Sequence, residues 1–359
     1  MAHKYLPPKT WIILGGLIFG ILASLLTTWG NPLNMGFCSA CFLRDIMGAI
    51  GLHRVEVAQY IRPEIIGLIL GALFSALIFR EFKPRGGSSP LIRFFLGVFM
   101  MIGALVFLGC TVRAPLRLAG GDLNAVTAII GLIAGITVGI VFLRKGFSLG
   151  RAGKVIKIAG FIVPAVALVL LLLVIFKPPF IYFSQKGPGS QHALLLISLI
   201  AGIVIGFIAQ KTRMCFAGGW RDIILVRDYH LASGIIAFFA GALITNYLTG
   251  GFSAGLYHWG FENQPIAHSD HLWNFASMVL VGLCATLLGG CPLRQMVLAS
   301  EGDTDAGITF LGLAAGAAIS HNLLLASSPK GPSAYGPIAI IIGLIFCLLV
   351  GFLQMERSK

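Results

Sequence analysis

The sequence predicts an all-α, polytopic membrane protein of about ten transmembrane helices, built as two inverted repeats with two short re-entrant helices in each. Three observations predict it. Charged residues make up 11% of the chain and hydrophobic residues 57%, whereas a soluble domain carries roughly 25% charged residues. The charges cluster between long apolar runs. One pattern of Cys, Arg and Asp is also written twice along the chain.

A helix needs about 20 predominantly apolar residues to cross a hydrocarbon core roughly 30 Å thick. Such runs fall near 11–28, 64–79, 94–109, 124–143, 158–176, 192–209, 231–249, 272–289, 306–325 and 336–354, and none contains Lys or Arg. Helix is the state expected for each. In lipid every backbone N–H and C=O must be satisfied internally, and these runs lack the alternation of a barrel strand. The first run follows Lys4 and Lys9 as a signal peptide would, but it is longer than a typical apolar core and no small-x-small site closes it. It is expected to be a retained helix.

Just over two-thirds of the 26 basic residues fall on one side if successive connections alternate, and the 250–270 connection has no Lys or Arg. The positive-inside rule then puts both termini in the cytoplasm, with the protein in the cell (inner) membrane. A net charge of +13 suits anchoring beside anionic lipid and an anionic cargo. The basic residues form no stripe, which excludes nucleic acid as the expected partner. The seven cysteines lie at helix ends and in apolar runs, unlike a secreted disulfide framework.

The repeat is legible in two motifs. Cys38-Ser-Ala-Cys-Phe-Leu-Arg44-Asp45-Ile46 recurs as Cys215-Phe-Ala-Gly-Gly-Trp-Arg221-Asp222-Ile223, with His53 and His230 continuing the match. Gly109-Cys110-Thr-Val-Arg113 recurs as Gly290-Cys291-Pro-Leu-Arg294, running on through Gly121-Asp122 and Gly302-Asp303. The halves divide at 1–180 and 181–359. Five crossings per half is an odd number, so the halves are expected to sit upside down relative to one another. Residues 36–50, 110–119, 215–227 and 291–300 are too short and polar to cross. They are expected to dip into the membrane, two from each side, which irregular backbone tolerates only inside protein or along a wet cavity.

These segments carry the candidate chemistry. In Gly-Cys-x-x-Arg the Cys lies at the first turn of the short helix, where free N–H groups attract anions. Arg113 and Arg294, three residues on, would share a face with Cys110 and Cys291. Six residues separate Cys38 from Arg44 and Cys215 from Arg221, which turns the side chains apart on one continuous helix. There the helix begins after the Cys, or the arginines serve another purpose such as pairing with the adjacent Asp. The expected substrate path is therefore Cys38, Cys110, Cys215, Cys291, Arg113, Arg294, Arg44 and Arg221. Thiols suit a sulfur- or selenium-bearing anion because both partners are polarizable. Cys41 has Gly218 as its repeat counterpart, so a symmetric mechanism does not require it. Cys284 and Cys347 are expected to be buried hydrophobes, and Asp122 and Asp303 to be N-caps.

Neither catalysis nor a cofactor is expected. A Walker-type Gly-x4-Gly-Lys-[Ser/Thr] does not occur in the chain. No metal site is expected, His258, His268 and His271 being the nearest approach to one. Two alternatives compete with a permease: a membrane thiol-disulfide oxidoreductase using Cys38 and Cys41, and an anion channel.

The paired Cys-x5-Arg-Asp and Gly-Cys-x-x-Arg elements resemble the YeeE/YedE family of membrane proteins over nearly the whole chain. The resemblance implies uptake of reduced sulfur compounds such as thiosulfate, through inverted repeats whose short helices set cysteines along a central path. Carried onto this sequence, those cysteines are Cys38 or its neighbour, Cys110, Cys215 and Cys291. Cys-Pro-Leu-Arg-Gln at 291–295 and Leu-Ala-Gly-Gly-Asp-Leu at 118–123 look most like the YedE branch linked to selenium metabolism. The resemblance also implies a cytosolic sulfur carrier of the TusA or rhodanese type as partner.

Overall fold

Apolar run length largely decides the architecture. A computed structural model describes residues 9–355. The chain termini, with Lys4, Arg357 and Lys359, lie outside the described residues. Within that range ten long helices form, each close to an apolar run: α1 (Lys9–Thr28), α3 (Pro63–Ile78), α4 (Pro90–Phe107), α6 (Asn124–Arg144), α7 (Ile162–Phe176), α8 (Leu195–Thr212), α10 (His230–Leu248), α11 (His271–Leu288), α13 (Thr304–Asn322) and α14 (Gly336–Leu353). Four short helices stand between them: α2 (Ser39–Ala49), α5 (Arg113–Ala119), α9 (Phe216–Val226) and α12 (Pro292–Ser300). The only sheet among the described residues is a two-residue pairing of Arg85–Gly86 with Gly153–Lys154. The protein is an all-α, multi-pass membrane protein.

Eight segments are long and apolar enough to cross a membrane, two of them (Leu195–Val226 and His271–Ser300) running on into a short helix. The other two long helices differ for local reasons. α3 is apolar but only 16 residues long. α13 carries Asp305 in its first turn and His321 in its last.

The order long, short, long, long, short, long, long occurs twice. Packing follows the same exchange: α3 lies along α8 as α1 lies along α10, and α4 along α13 as α6 along α11. Small residues permit these approaches, as is usual where lipid supplies no hydrophobic drive between helices. At the α3–α8 crossing, Gly67 and Gly71 meet Gly202 and Gly206. A Cβ on Gly206 would sit 2.1 Å from the Leu68 carbonyl oxygen, and one on Gly71 2.1 Å from that of Ile203. Only glycine fits there.

Burial separates centre from rim. The apolar window of α11, with its short partner, is 83% buried, that of α7 28%. α7 turns Leu168, Val169, Leu172 and Ile175 outward, an apolar surface fit for lipid. Two of the short helices, α2 and α5, belong to the interior. Every residue of α2 is buried, as is all of α5 but half-buried Leu118.

Candidate functional site

Each short helix starts at or beside a cysteine. Cys38, Cys215 and Cys291 are the N-caps of α2, α9 and α12, and Cys110 lies two residues before Val112, the N-cap of α5. As N-caps, Cys38 and Cys215 take extended backbone and turn the sulfur back onto the free N–H groups. Cys38 Sγ accepts from Cys41 N at 3.3 Å, and Cys215 Sγ from Gly218 N at 3.2 Å. The helix thus begins after the Cys in both Cys-x5-Arg motifs, one of the two outcomes their spacing allowed.

The thiols meet in pairs. Cys38 Sγ lies 3.6 Å from Cys110 Sγ, which is also 3.3 Å from Ser39 Oγ. The Cys110 sulfur faces the backbone N–H groups of Ala40 and Arg113, at the starts of α2 and α5. In the other half Cys215 Sγ accepts from Cys291 N at 3.4 Å, and the two side chains face one another. Thr111 joins the pairs. Next to Cys110, it brings its buried hydroxyl up to Cys291 without closing a hydrogen bond. The resulting chain of contacts runs Cys38, Cys110, Thr111, Cys291, Cys215, and all four thiols are free and buried.

The arginines are mostly engaged by the protein. Arg113 does not turn to Cys110, as three-residue spacing suggested. Its Nε donates to Asn34 O at 2.6 Å and its Nη2 to Ile266 O at 3.1 Å, while Nη1 reaches Leu108 O and lies 3.5 Å from Cys41 Sγ. Leu108 ends α4 in the left-handed region, leaving orphan carbonyls of the kind every helix end has, and Arg113 satisfies one. Arg294 turns to Glu301 at 3.2 Å. In that half Gln295 instead serves the end of α11, its Nε2 donating to Leu288 O at 3.2 Å. The repeated Gly before each Cys makes room for these arginine stems: a Cβ on Gly109 or Gly290 would lie 3.2 Å from Arg113 Cδ or 2.9 Å from Arg294 Cγ. Arg44 and Arg221 pair with the Asp that follows each, at 2.6 and 2.8 Å.

Other sequence-marked residues fall as follows. Asp303 caps α13 by accepting from Ala306 N at 3.0 Å. Asp122 accepts from Asn124 N but lies before the N-cap, and it pairs with buried Arg117 at 2.6 Å. Cys284 and Cys347 are buried, and they face one another at 3.3 Å across α11 and α14. The histidines at 258, 268 and 271 stay apart: His258 Nε2 meets Glu262 O, His268 Nε2 meets Val106 O, and His271 packs on Phe261.

Sequence reasoning missed Thr111, Arg62 and His321. Thr111 has Pro292 as its repeat counterpart, so the repeat did not mark it. Arg62, wholly buried, donates to Asp45 at 2.8 Å from the side opposite Arg44. Its burial next to a Pro-initiated helix carried no motif. His321 lines a cavity of about 450 Å³ together with Arg44, Leu108, Ile266 and Ser327.

Residues 211–353, from the end of α8 through α14, match the family described as Sulphur transport. Over that stretch the chain is similar to that family. That match takes in Cys215, Arg221, Cys291 and Arg294. The chain is also similar to the thiosulfate transporter TsuA of Escherichia coli (strain K12), 26% identical over 123 residues. That match covers 31% of this chain and spans 30% of the relative's length. The family is described by sulphur transport, and the relative is a transporter.

Proposed function

We propose that the protein is a permease that takes up a small sulfur-containing anion, thiosulfate or a selenium analogue, along a path lined by Cys38, Cys110, Cys291 and Cys215. The observation that carries this reading is the contact chain through Thr111, which links two thiol pairs from the two halves into one series. A polarizable sulfur passes from thiol to thiol by exchanging S–H contacts, while N–H groups at the short-helix starts offset its negative charge. The two halves are inverted repeats, 1–180 and 181–359. The doubled helix order and the exchanged packing of α3 with α8 and α1 with α10 support that reading. The short helices enter from opposite faces of the inner membrane, with both termini cytoplasmic by charge bias. Arg44 and Arg221, paired but less enclosed than Arg113, receive the anion at the two mouths. Arg113 and Arg294 hold the scaffold of the neck. A TusA- or rhodanese-type carrier rests on the family resemblance alone.

Cys38 touches Cys41 as well as Cys110, so the oxidoreductase reading keeps its thiol pair and is separated from transport by experiment. Uptake of labelled thiosulfate into vesicles decides between the readings. Cys110→Ala and Cys291→Ala are expected to lower uptake at least tenfold. Unchanged uptake in both would remove the thiols from the path, and chloride conductance in planar bilayers would favour a channel.

A further inference from the structure

The cavity beside Arg44 has features that the thiol path does not use. Its wall holds a fixed cation and two polar groups with nothing to bind. His321 Nε2 and Ser327 Oγ are both buried and without partners in the protein. Buried polar atoms are nearly always satisfied, and exceptions mark a ligand, an ion or water. The charge nearby is positive on balance, because Arg44 and Arg62 share the single carboxylate of Asp45. Three donors of this kind around a cavity suit the oxygens of an oxyanion.

The groups facing His321 are His53, its ring centroid 4.5 Å away, and Arg44. Asp45 sits behind Arg44 and is held by it. His53 is already committed. Its Nδ1 accepts from Val55 N at 3.3 Å, so its Nε2 is the nitrogen that donates to Arg44 O at 3.0 Å. A second proton on His53 would break the Val55 bond, and burial pushes His53 below its ordinary value. His321 has no such commitment at Nε2. A dianion held between Arg44 and this ring favours imidazolium.

We propose that this cavity binds a divalent oxyanion together with one proton, the proton residing on His321, so that the anion is taken up with a proton. This rests on the transport reading above. The proton comes from the outer solution and leaves the ring when the anion moves on toward Cys38, so no redox step is needed. By linkage, a site that gains one proton on binding tightens by up to about tenfold for each unit the pH falls.

Calorimetry of thiosulfate binding to the full purified chain in detergent tests this, run at fixed pH in buffers of different ionisation heat. Thiosulfate stays fully deprotonated near neutral pH, so proton uptake reports the protein. Uptake approaching one proton per anion is expected in the unmodified protein, close to zero in His321→Gln, and undiminished in His53→Gln. Binding with no buffer dependence in the unmodified protein would overturn the proposal while leaving the transport reading intact. Proton uptake lost in His53→Gln instead would also overturn it. Absence of thiosulfate binding at any pH would sink the transport reading and this proposal together.

Discussion

The sulfur of Cys38 lies 3.6 Å from that of Cys110, a residue 72 positions away just before a different short helix. Neither thiol faces lipid, and both stand where free backbone N–H groups gather. The pairing distinguishes these cysteines from Cys284 and Cys347, whose contact joins two long helices in an apolar setting.

Substitution should separate the two kinds of pair. Cys284→Ala and Cys347→Ala are expected to leave vesicle uptake of labelled thiosulfate within about twofold of the unmodified protein, since each removes a small buried hydrophobe. Cys38→Ala is expected to lower uptake at least tenfold. Equal effects at all three positions would count against a path through Cys38.

Arg113 is expected to be a stability residue first. Arg113→Met leaves the carbonyls of Asn34 and Ile266 unpaired in the interior. Each such loss costs about 1–3 kcal/mol, so a clear fall in the midpoint of thermal unfolding in detergent is expected. Arg113→Lys should recover little of it, because an ammonium lacks the planar fork that spans these partners. A variant as stable as the parent would show that the carbonyl contacts contribute nothing.

The ion pair of Arg117 with Asp122 is wholly buried. Removing one partner strands the other, at a cost of about 3–5 kcal/mol. Arg117→Met should therefore destabilise more than the double change Arg117→Met with Asp122→Asn. A double-mutant cycle by denaturant titration measures the difference, and strict additivity would refute the pairing.

Close helix approach at Gly206 predicts intolerance of side chains. Gly206→Ile places branched carbon against the Leu68 carbonyl and should abolish folded yield in size-exclusion chromatography. Ile→Val at exposed Ile200 should not. Normal yield from Gly206→Ile would mean that α3 and α8 do not pack as closely as described.

Burial of neutral His53 gives stability a pH dependence of known sign. Its value in the folded protein is below the ordinary one, so the unfolded chain binds the extra proton first. Its contribution is full above about pH 6.5, the ordinary histidine value, and is lost as the pH falls below it. His53→Gln should flatten the unfolding midpoint across that range, and an unchanged slope would assign the effect to other groups.

Much of the frame was legible along the chain. The run at 124–143 became Asn124–Arg144, and the short segment at 291–300 became Pro292–Ser300. Length and apolarity are local properties, and in lipid a run of that kind has no option but helix. A helix start at Cys291 followed from its motif, and starts after Cys38 and Cys215 were one of the two outcomes their spacing allowed. The arginines were less legible. Three-residue spacing placed Arg113 beside Cys110, yet its partners are carbonyls 79 and 153 residues distant.

By itself, then, the sequence determined that this chain is a helical membrane protein, written twice, with a cysteine in each of four short polar segments. Tertiary structure decided which thiols meet, that Thr111 stands between the pairs, that Arg113 serves the end of α4, and that His321 shares a cavity with Arg44. The reason is physical. Helix formation answers to a dozen or so neighbouring residues, whereas a side chain's partners are whatever long-range packing leaves within its reach, and no local pattern encodes that.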